Sequence, residues 1–305
     1  MTAITLIPQL LNGLQYGMLL FLLAAGLTLV LGIMSYVNLA HGSLYMVGAY
    51  CAAVVFDHTG SFLLAVAGAV AGAAMAGALI EQLIASRLYQ RDHVEHVLAS
   101  FGMVLLLNEL ARTVWGPQPL FLTVPKALGG TIDIFGIQYS AYRFAIVVLG
   151  LAVLVGSHYL IHGTRAGMLV RAGASNPRMV GALGINIKVL NGALFTFGAA
   201  LAGLAGGIAA PIVSVQLGMG ENILILTLVV IVVGGIGSIK GSFYGALIVG
   251  LIDTLGRSFL PLILRETMNR ELANAAGPAL ASMLVYVVMA VILAFRPKGL
   301  FPARG

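Results

Sequence analysis

MTAITLIPQLLNGLQYGMLLFLLAAGLTLVLGIMSYVNLAHGSLYMVGAYCAAVVF, residues Met1 to Phe56, holds no lysine, arginine, aspartate or glutamate. A helix crosses the hydrocarbon core of a bilayer with about 20 apolar residues, so this stretch is long enough for two crossings. It has no basic leading segment and no small-residue cleavage site, and reads as retained membrane span rather than signal peptide. Outward along the chain the pattern repeats. Uncharged runs occupy His58 to Ile80, Phe144 to Thr164, Val189 to Gly220, Asn222 to Ile239 and Leu272 to Phe295.

Of 305 residues, 60% are hydrophobic and 9% charged, and the mean hydropathy is +1.04. Soluble domains carry about 25% charged residues; this chain has too few to cover a water-facing surface, and the bilayer must be its solvent. The basic pI near 9.6 therefore does not point to nucleic acid. In a chain with so few charges, it reflects cytoplasmic loops next to membrane. Cys51 is the single cysteine, so no internal disulfide is possible.

These tracts predict an all-α, polytopic integral membrane bundle, a single transmembrane domain over 1–305 with about 8–9 transmembrane segments. The spans fall near 6–33, 38–56, 61–84, 95–115, 143–162, 189–213, 222–239, 242–262 and 278–295. The connection before 38–56 is very short, so that segment reads either as a full crossing or as a broken, partly re-entrant one. Arg165, Arg171, Arg178 and Lys188 share one connection, and Arg296, Lys298 and Arg304 lie in the tail. By the positive-inside rule both are cytoplasmic, and the four spans between them agree. Counting back puts Arg87 and Arg91 inside and the N-terminus outside. Arg257, Arg265 and Arg270 fall outside against the rule, partly balanced by Glu266 and Glu271.

Thirty-nine glycines are more than loops require. Gly13/Gly17, Gly68/Gly72, Gly203/Gly207 and Gly241/Gly245 are spaced to lie on one helix face and admit a close neighbour, in a tight bundle or a helix-mediated dimer. A faint internal echo joins His41-Gly42-Ser43 with Tyr45 to Lys240-Gly241-Ser242 with Phe243-Tyr244.

The connection RAGMLVRAGASNPRMVGALGINIKVLN, Arg165 to Asn191, is both basic and apolar. Asn176-Pro177 reads as an N-cap followed by proline at the first helical position. Met179, Val180 and Leu183 can share a helical stripe, and Gly184 supplies a stop. The result is a short amphipathic coupling helix on the cytoplasmic side, within a loop over 164–188. By physics alone it either rests on lipid headgroups or docks into a partner's groove.

This stretch resembles the ATPase-docking loop of the permeases of branched-chain amino acid ABC importers. Further blocks match that family in order: GLTLVLGIMSYVNLAHGSLYMVGAY from Gly26, TFGAALAGLAGGIAAP from Thr196, VVGGIGSIKGSFYGALIVGL from Val232, and RPKGLFP from Arg296 to Pro302. At Arg171-Ala172, where broader importer docking loops carry an acidic residue, this chain has none. The resemblance implies a non-catalytic subunit with no cofactor, in a bacterial inner membrane. Its partners would be a second homologous permease subunit, two cytoplasmic ATPase subunits and an extracytoplasmic solute-binding protein. Transport would proceed by alternating access, with Asn176, Pro177, Met179, Val180, Leu183 and Gly184 transmitting the ATPase motion. Leucine, isoleucine or valine are the favoured cargo; similar permeases also serve other amino acids, urea, short amides and small carboxylates.

Asn38, His41, Gly42, Ser43 and Tyr45 are polar or small groups in an uncharged tract. They either line a translocation pathway at a broken helix or, as Asn38 and His41 would, cap helices at the inner surface. Their position in the pattern places them at the interface. Glu109 with Arg112 and Asp253 with Arg257 are spaced to pair along a helix face, while Asn12 and Gln15 suit hydrogen bonds between helices. His93 and His96, with Asp92 and Glu95, match no strong zinc spacing and read as a solvated loop. His158 and His162 sit at an inner helix end, where their charge is favourable. An ion-coupled transporter or channel for small polar solutes is the alternative function, and would need intramembrane carboxylates free to bind its ion. No P-loop occurs, so ATP hydrolysis by that route belongs to other subunits.

Overall fold

The chain follows the long apolar tracts into long helices, as a computed structural model describing residues 3–134, 136–266 and 269–301. Pro302 and Arg304 lie outside the described residues. The helices are α1 (Ala3–Met34), α2 (His41–Thr59), α3 (Phe62–Ile80), which continues through a π-helical turn Glu81–Ala85 into α4 (Ser86–Leu88), and α5 (His93–Trp115). Then come α6 (Ala141–Gly163), α7 (Arg165–Ser175), α8 (Pro177–Ala182), α9 (Ile187–Ala209), α10 (Met219–Gly234), α11 (Ile239–Leu264) and α12 (Arg270–Phe295). Seven of the described helices are long and apolar enough to cross a membrane. The remaining two of the nine expected spans are α2 and α10. At 16 residues, α10 is about 24 Å long, short of a full crossing.

The element that the hydropathy pattern did not suggest is a small antiparallel hairpin, β1 (Thr131–Ile134) with β2 (Ile137–Ser140). Gly136 takes a positive φ at its turn and donates its N–H to Asp133 Oδ1 at 2.7 Å. α12 also starts earlier than the charge pattern suggests, at Arg270 rather than near 278. Asn269 caps it through the Leu272 N–H, and the charged first turn simply projects from the bundle. Pro278 lies inside this helix without ending it.

Contacts between helices fix their directions. Gly13 and Gly17 of α1 lie against Gly250 and Ala246 of α11, and Gly203 and Gly207 of α9 against Ala73 and Ala69 of α3. Both pairs run antiparallel. Arg143 at the start of α6 donates to Asn12 of α1 at 2.7 Å, and Tyr142 to the Ile208 carbonyl of α9 at 2.7 Å. One end of the bundle thus gathers the starts of α1 and α6 with the end of α9. The other gathers the ends of α1, α3 and α6 with the starts of α5, α9 and α11. Arg87, Arg91, Arg165, Arg171, Arg178, Lys188, Lys240, Arg296 and Lys298 all fall at that second end, which is the cytoplasmic one. Two of the basic residues at the outer end have side-chain partners. Arg257 Nε reaches both Asp253 oxygens at 2.9 Å and its Nη2 donates to Ser282, while Arg265 donates to Asn274.

α1 is the axle. Met18, Leu20, Phe21, Leu22 and Leu23 are fully buried, and they do not share a single face. A helix apolar on every side and covered on every side belongs at the centre of a bundle. All four glycine pairs singled out in the sequence serve packing within this chain: Gly68 and Gly72 meet Val55 and Cys51 of α2, and Gly241 and Gly245 meet α10.

Candidate functional site

Two regions carry the polar chemistry. The first is a junction inside the bundle. After α1 ends at Met34, residues 35–40 are non-helical and turn back into the protein. Ser35 adopts a positive φ of 51°, and the Tyr36 ring is buried against Tyr89, His96 and Phe195. Asn38 Oδ1 accepts the Ala40 N–H at 3.0 Å. The His41 ring Nε2 then donates to the Leu23 carbonyl at 3.2 Å. A carbonyl only accepts, so that bond places the proton on Nε2. Leu23 lies 11 residues before the end of α1, about 17 Å along it. This corrects the expectation that Asn38 and His41 sit at the inner surface: His41 and the first turn of α2 are deep in the bundle. The segment is the broken one of the two readings, because the chain climbs before it starts its helix.

α10 is its counterpart. α9 ends at Ala209, and the following segment pairs Val215 with Leu120 before α10 begins at Met219. Gly42 of α2 and Gly220 of α10 touch backbone to backbone. A Cβ on either would overlap the other's carbonyl, and one on Gly220 would also come within 3.0 Å of Ser43 N. The starts of two discontinuous helices therefore meet inside the bundle. Tyr45 is buried and its carbonyl lies where a Cβ on Gly206 would fall.

Polar atoms at this junction are incompletely satisfied. Asn38 Nδ2 and Ser43 Oγ are buried without a hydrogen-bond partner among the described residues, with Asn38 2% and Ser43 1% exposed. Glu221, in the first turn of α10, accepts a hydrogen bond from Asn108 Nδ2 of α5, and Asn108 Oδ1 accepts the Gly218 N–H at 3.1 Å. Reading the sequence missed both residues. Glu221 interrupts two apolar runs and reads as a boundary; only the shortness of the run after it hinted that α10 starts late.

The second region is the cytoplasmic elbow. Thr164 caps α7 by accepting the Gly167 N–H at 3.0 Å. Asn176 caps α8 by accepting the Met179 N–H at 3.0 Å, with Pro177 at the first position. The helix stops at Leu183, and Gly184 takes a φ of 85°. Asn186 then caps α9 through the Lys188 N–H. The expected helix is present, and α7 ahead of it is an addition. The expected shared stripe is split. Val180 is 4% exposed and faces the bundle, whereas Met179 and Leu183 are 59% and 74% exposed. Arg171 and Arg178 are exposed beside them, with Ala172 half-buried.

A buried cluster lies at the same end of the bundle as the elbow. Glu81, in the π-turn, accepts the Tyr89 hydroxyl at 2.8 Å. Burial first, then this bond, pushes the Tyr89 phenol well above its usual range, so it stays a donor. His96 is buried, its Nε2 donating to the Leu88 carbonyl at 2.8 Å. This corrects the reading of His93 and His96 as a solvated loop; they open α5. The remaining polar pairs are structural. Glu109 and Arg112 are 3.8 Å apart on the surface, and His158 stacks on His162. Among the described residues no group of three or more His, Cys, Asp or Glu could hold a metal ion.

A polytopic bundle with two discontinuous helices inside it and a capped cytoplasmic elbow defines a membrane transport subunit. A family model described as "Branched-chain amino acid transport system / permease component" matches residues 9–293, and the chain belongs to that family. It is 27% identical to the high-affinity branched-chain amino acid transport system permease protein BraD of Pseudomonas aeruginosa, over 96% of this chain and 95% of that one. It is 26% identical to the corresponding LivH of Escherichia coli, over 96% of each. The ribose import permease protein RbsC of Escherichia coli is 29% identical over 81% of this chain and 77% of its own length. No solved structure gave a significant match. The chain is thus a multi-pass, non-catalytic transport subunit of the inner membrane, with ATPase and binding-protein partners in general terms. An ion-coupled transporter is not favoured.

Proposed function

We propose that this chain is one half of the membrane pathway of an ATP-driven importer of branched-chain or related amino acids. It pairs with a second homologous permease, two cytoplasmic ATPase subunits and an external solute-binding protein, with lipid around the outer helices. The elbow over 164–188 is the ATPase-coupling segment, and the junction at Asn38, His41, Gly42, Ser43 and Tyr45 lies on the translocation pathway.

The observation that carries this reading is the elbow's split surface. Val180 anchors α8 to the bundle while Met179 and Leu183 project outward, exposed and apolar, at the basic end of the molecule. Single exposed apolar residues are ordinary. Two on one capped helix, flanked by Arg171 and Arg178, suit a groove on a soluble partner. The caps at Thr164, Asn176 and Asn186 make the elbow stiff enough to pass a push from that partner into α6 and α9. The resting-on-lipid alternative is less favoured, because α8 has only six residues and presents too narrow an apolar face to sit in the headgroup region.

The test is purification in mild detergent from native membranes, with mass spectrometry of what accompanies the chain. ATPase subunits and a second permease are expected to co-purify, and Met179→Glu with Leu183→Glu to lose the ATPases at least tenfold while the second permease stays. Retention of the ATPases by that double variant would overturn the coupling assignment.

A further inference from the structure

Two half-helices converge with their N-terminal ends, each the positive end of a helix dipole. Beside the start of α2 lie two buried polar atoms with nothing to bond, Ser43 Oγ and Asn38 Nδ2. Six buried side-chain atoms lack a partner among the described residues, and these two stand together beside a helix start, where an unsatisfied polar group costs stability. The start of α10 adds a carboxylate to its own positive end: Glu221, half-buried, one residue from the Gly220 backbone that touches Gly42 and Ser43.

We propose that this junction recognises the zwitterionic head of an α-amino acid during translocation. The α-carboxylate is taken by the start of α2 with Ser43 Oγ and Asn38 Nδ2, and the α-ammonium by the Glu221 carboxylate. The assignment rests on the permease reading above and deepens it. In the present conformation the Gly42–Gly220 contact closes the site; parting α2 from α10 opens it. Such a site reads the head and not the side chain, so it selects α-amino acids as a class and leaves the choice among them to the external protein.

A purely structural role for Glu221 is distinguishable. It is the third helical residue after the Gly218 cap, where glutamine serves as well as glutamate, and glutamine can still accept the Asn108 hydrogen bond. Glu221→Gln thus keeps the structure and removes the charge. Ser43→Ala removes a hydroxyl that has no partner, so it does not lower the unfolding temperature if packing is its only role.

The experiment is ATP-dependent uptake of labelled L-leucine into proteoliposomes holding the complete importer with its binding protein. Glu221→Gln is expected to lower uptake at least tenfold with normal subunit stoichiometry, and Glu221→Asp to lower it less. Ser43→Ala is expected to lower uptake about tenfold at an unchanged or higher unfolding temperature. Wild-type uptake in both Glu221→Gln and Ser43→Ala would overturn the head-group assignment alone. An intact wild-type importer that moves no amino acid with ATP would overturn the permease reading itself, and this assignment with it.

Discussion

At Gly220 the neighbour a Cβ would meet is backbone, the carbonyl of Gly42, and backbone at a packed junction of two helix starts does not yield as a flexible side chain does. Overpacking a core costs about 1–3 kcal/mol, and this position belongs at the upper end. Gly220→Val is expected to lower the apparent unfolding temperature by roughly 5–10 °C and to abolish uptake. Gly102→Ala, where nothing lies within 4 Å, is the control and should be neutral or slightly stabilising. A thermal melt followed by fluorescence-detected size exclusion measures both. The Asp253–Arg257 pair offers a second residue-scale test. Asp253 is buried and Arg257 about half exposed, with both carboxylate oxygens bonded. Arg257→Gln strands a buried carboxylate and should cost about 2 kcal/mol, less than a fully buried pair because water screens the arginine. Asp253→Asn combined with Arg257→Gln should recover part of that loss, and a fully additive double variant would contradict the pairing. How much was legible also shows at this scale. The Asp253–Arg257 and Glu109–Arg112 pairs follow from helical spacing, because partners on one helix need no tertiary knowledge. The Asn108–Glu221 bond joins residues 113 apart in sequence, and no local pattern encodes it.

Helices α2 and α10 mark where the hydropathy pattern stops informing. The run from Met1 to Phe56 says that two segments are buried in membrane, but not that residues 35–40 climb before α2 begins. Hydropathy measures how apolar a segment is; depth depends on where the chain turns, and here it turns inside protein, where irregular backbone is tolerated. The echo between His41-Gly42-Ser43 and Lys240-Gly241-Ser242 acquires a physical meaning only in three dimensions. Gly42 packs on the first turn of α10 at Gly220 and Gly241 on its last at Gly234, so the two glycines clamp one short helix from both ends. The α8 elbow, in contrast, was readable almost residue by residue, since Asn176, Pro177 and Gly184 each act through local backbone chemistry. Its proposed role as a lever makes an element-scale prediction. Inserting a Gly-Ser pair after Gly184 keeps the caps and adds slack between α8 and α9. ATP hydrolysis by the assembled complex should persist while uptake falls at least tenfold; coupled transport at the normal rate would remove the lever from the account.

Across the whole molecule, the charge asymmetry and the packing tell one story. Most lysines and arginines gather at the end that carries the elbow, and among those at the outer end Arg257 and Arg265 are tied to Asp253, Ser282 and Asn274. Burial falls from α1 and α9 at the centre to α12 at the rim, so the outer helices present apolar faces to lipid or to a partner permease while the inner ones hold the discontinuous pair. Among the described residues Asp253 is paired with Arg257, whereas Glu221 meets the neutral amide of Asn108. In the proposed importer, energy arrives from the ATPase subunits through the elbow. The measurement that tests this most directly is uptake of labelled leucine by proteoliposomes carrying the purified complex, with ATP supplied or withheld and with ion gradients present or collapsed by ionophores. The account predicts uptake that requires ATP and persists when every ion gradient is gone. Uptake that follows a proton or sodium gradient without ATP would contradict it.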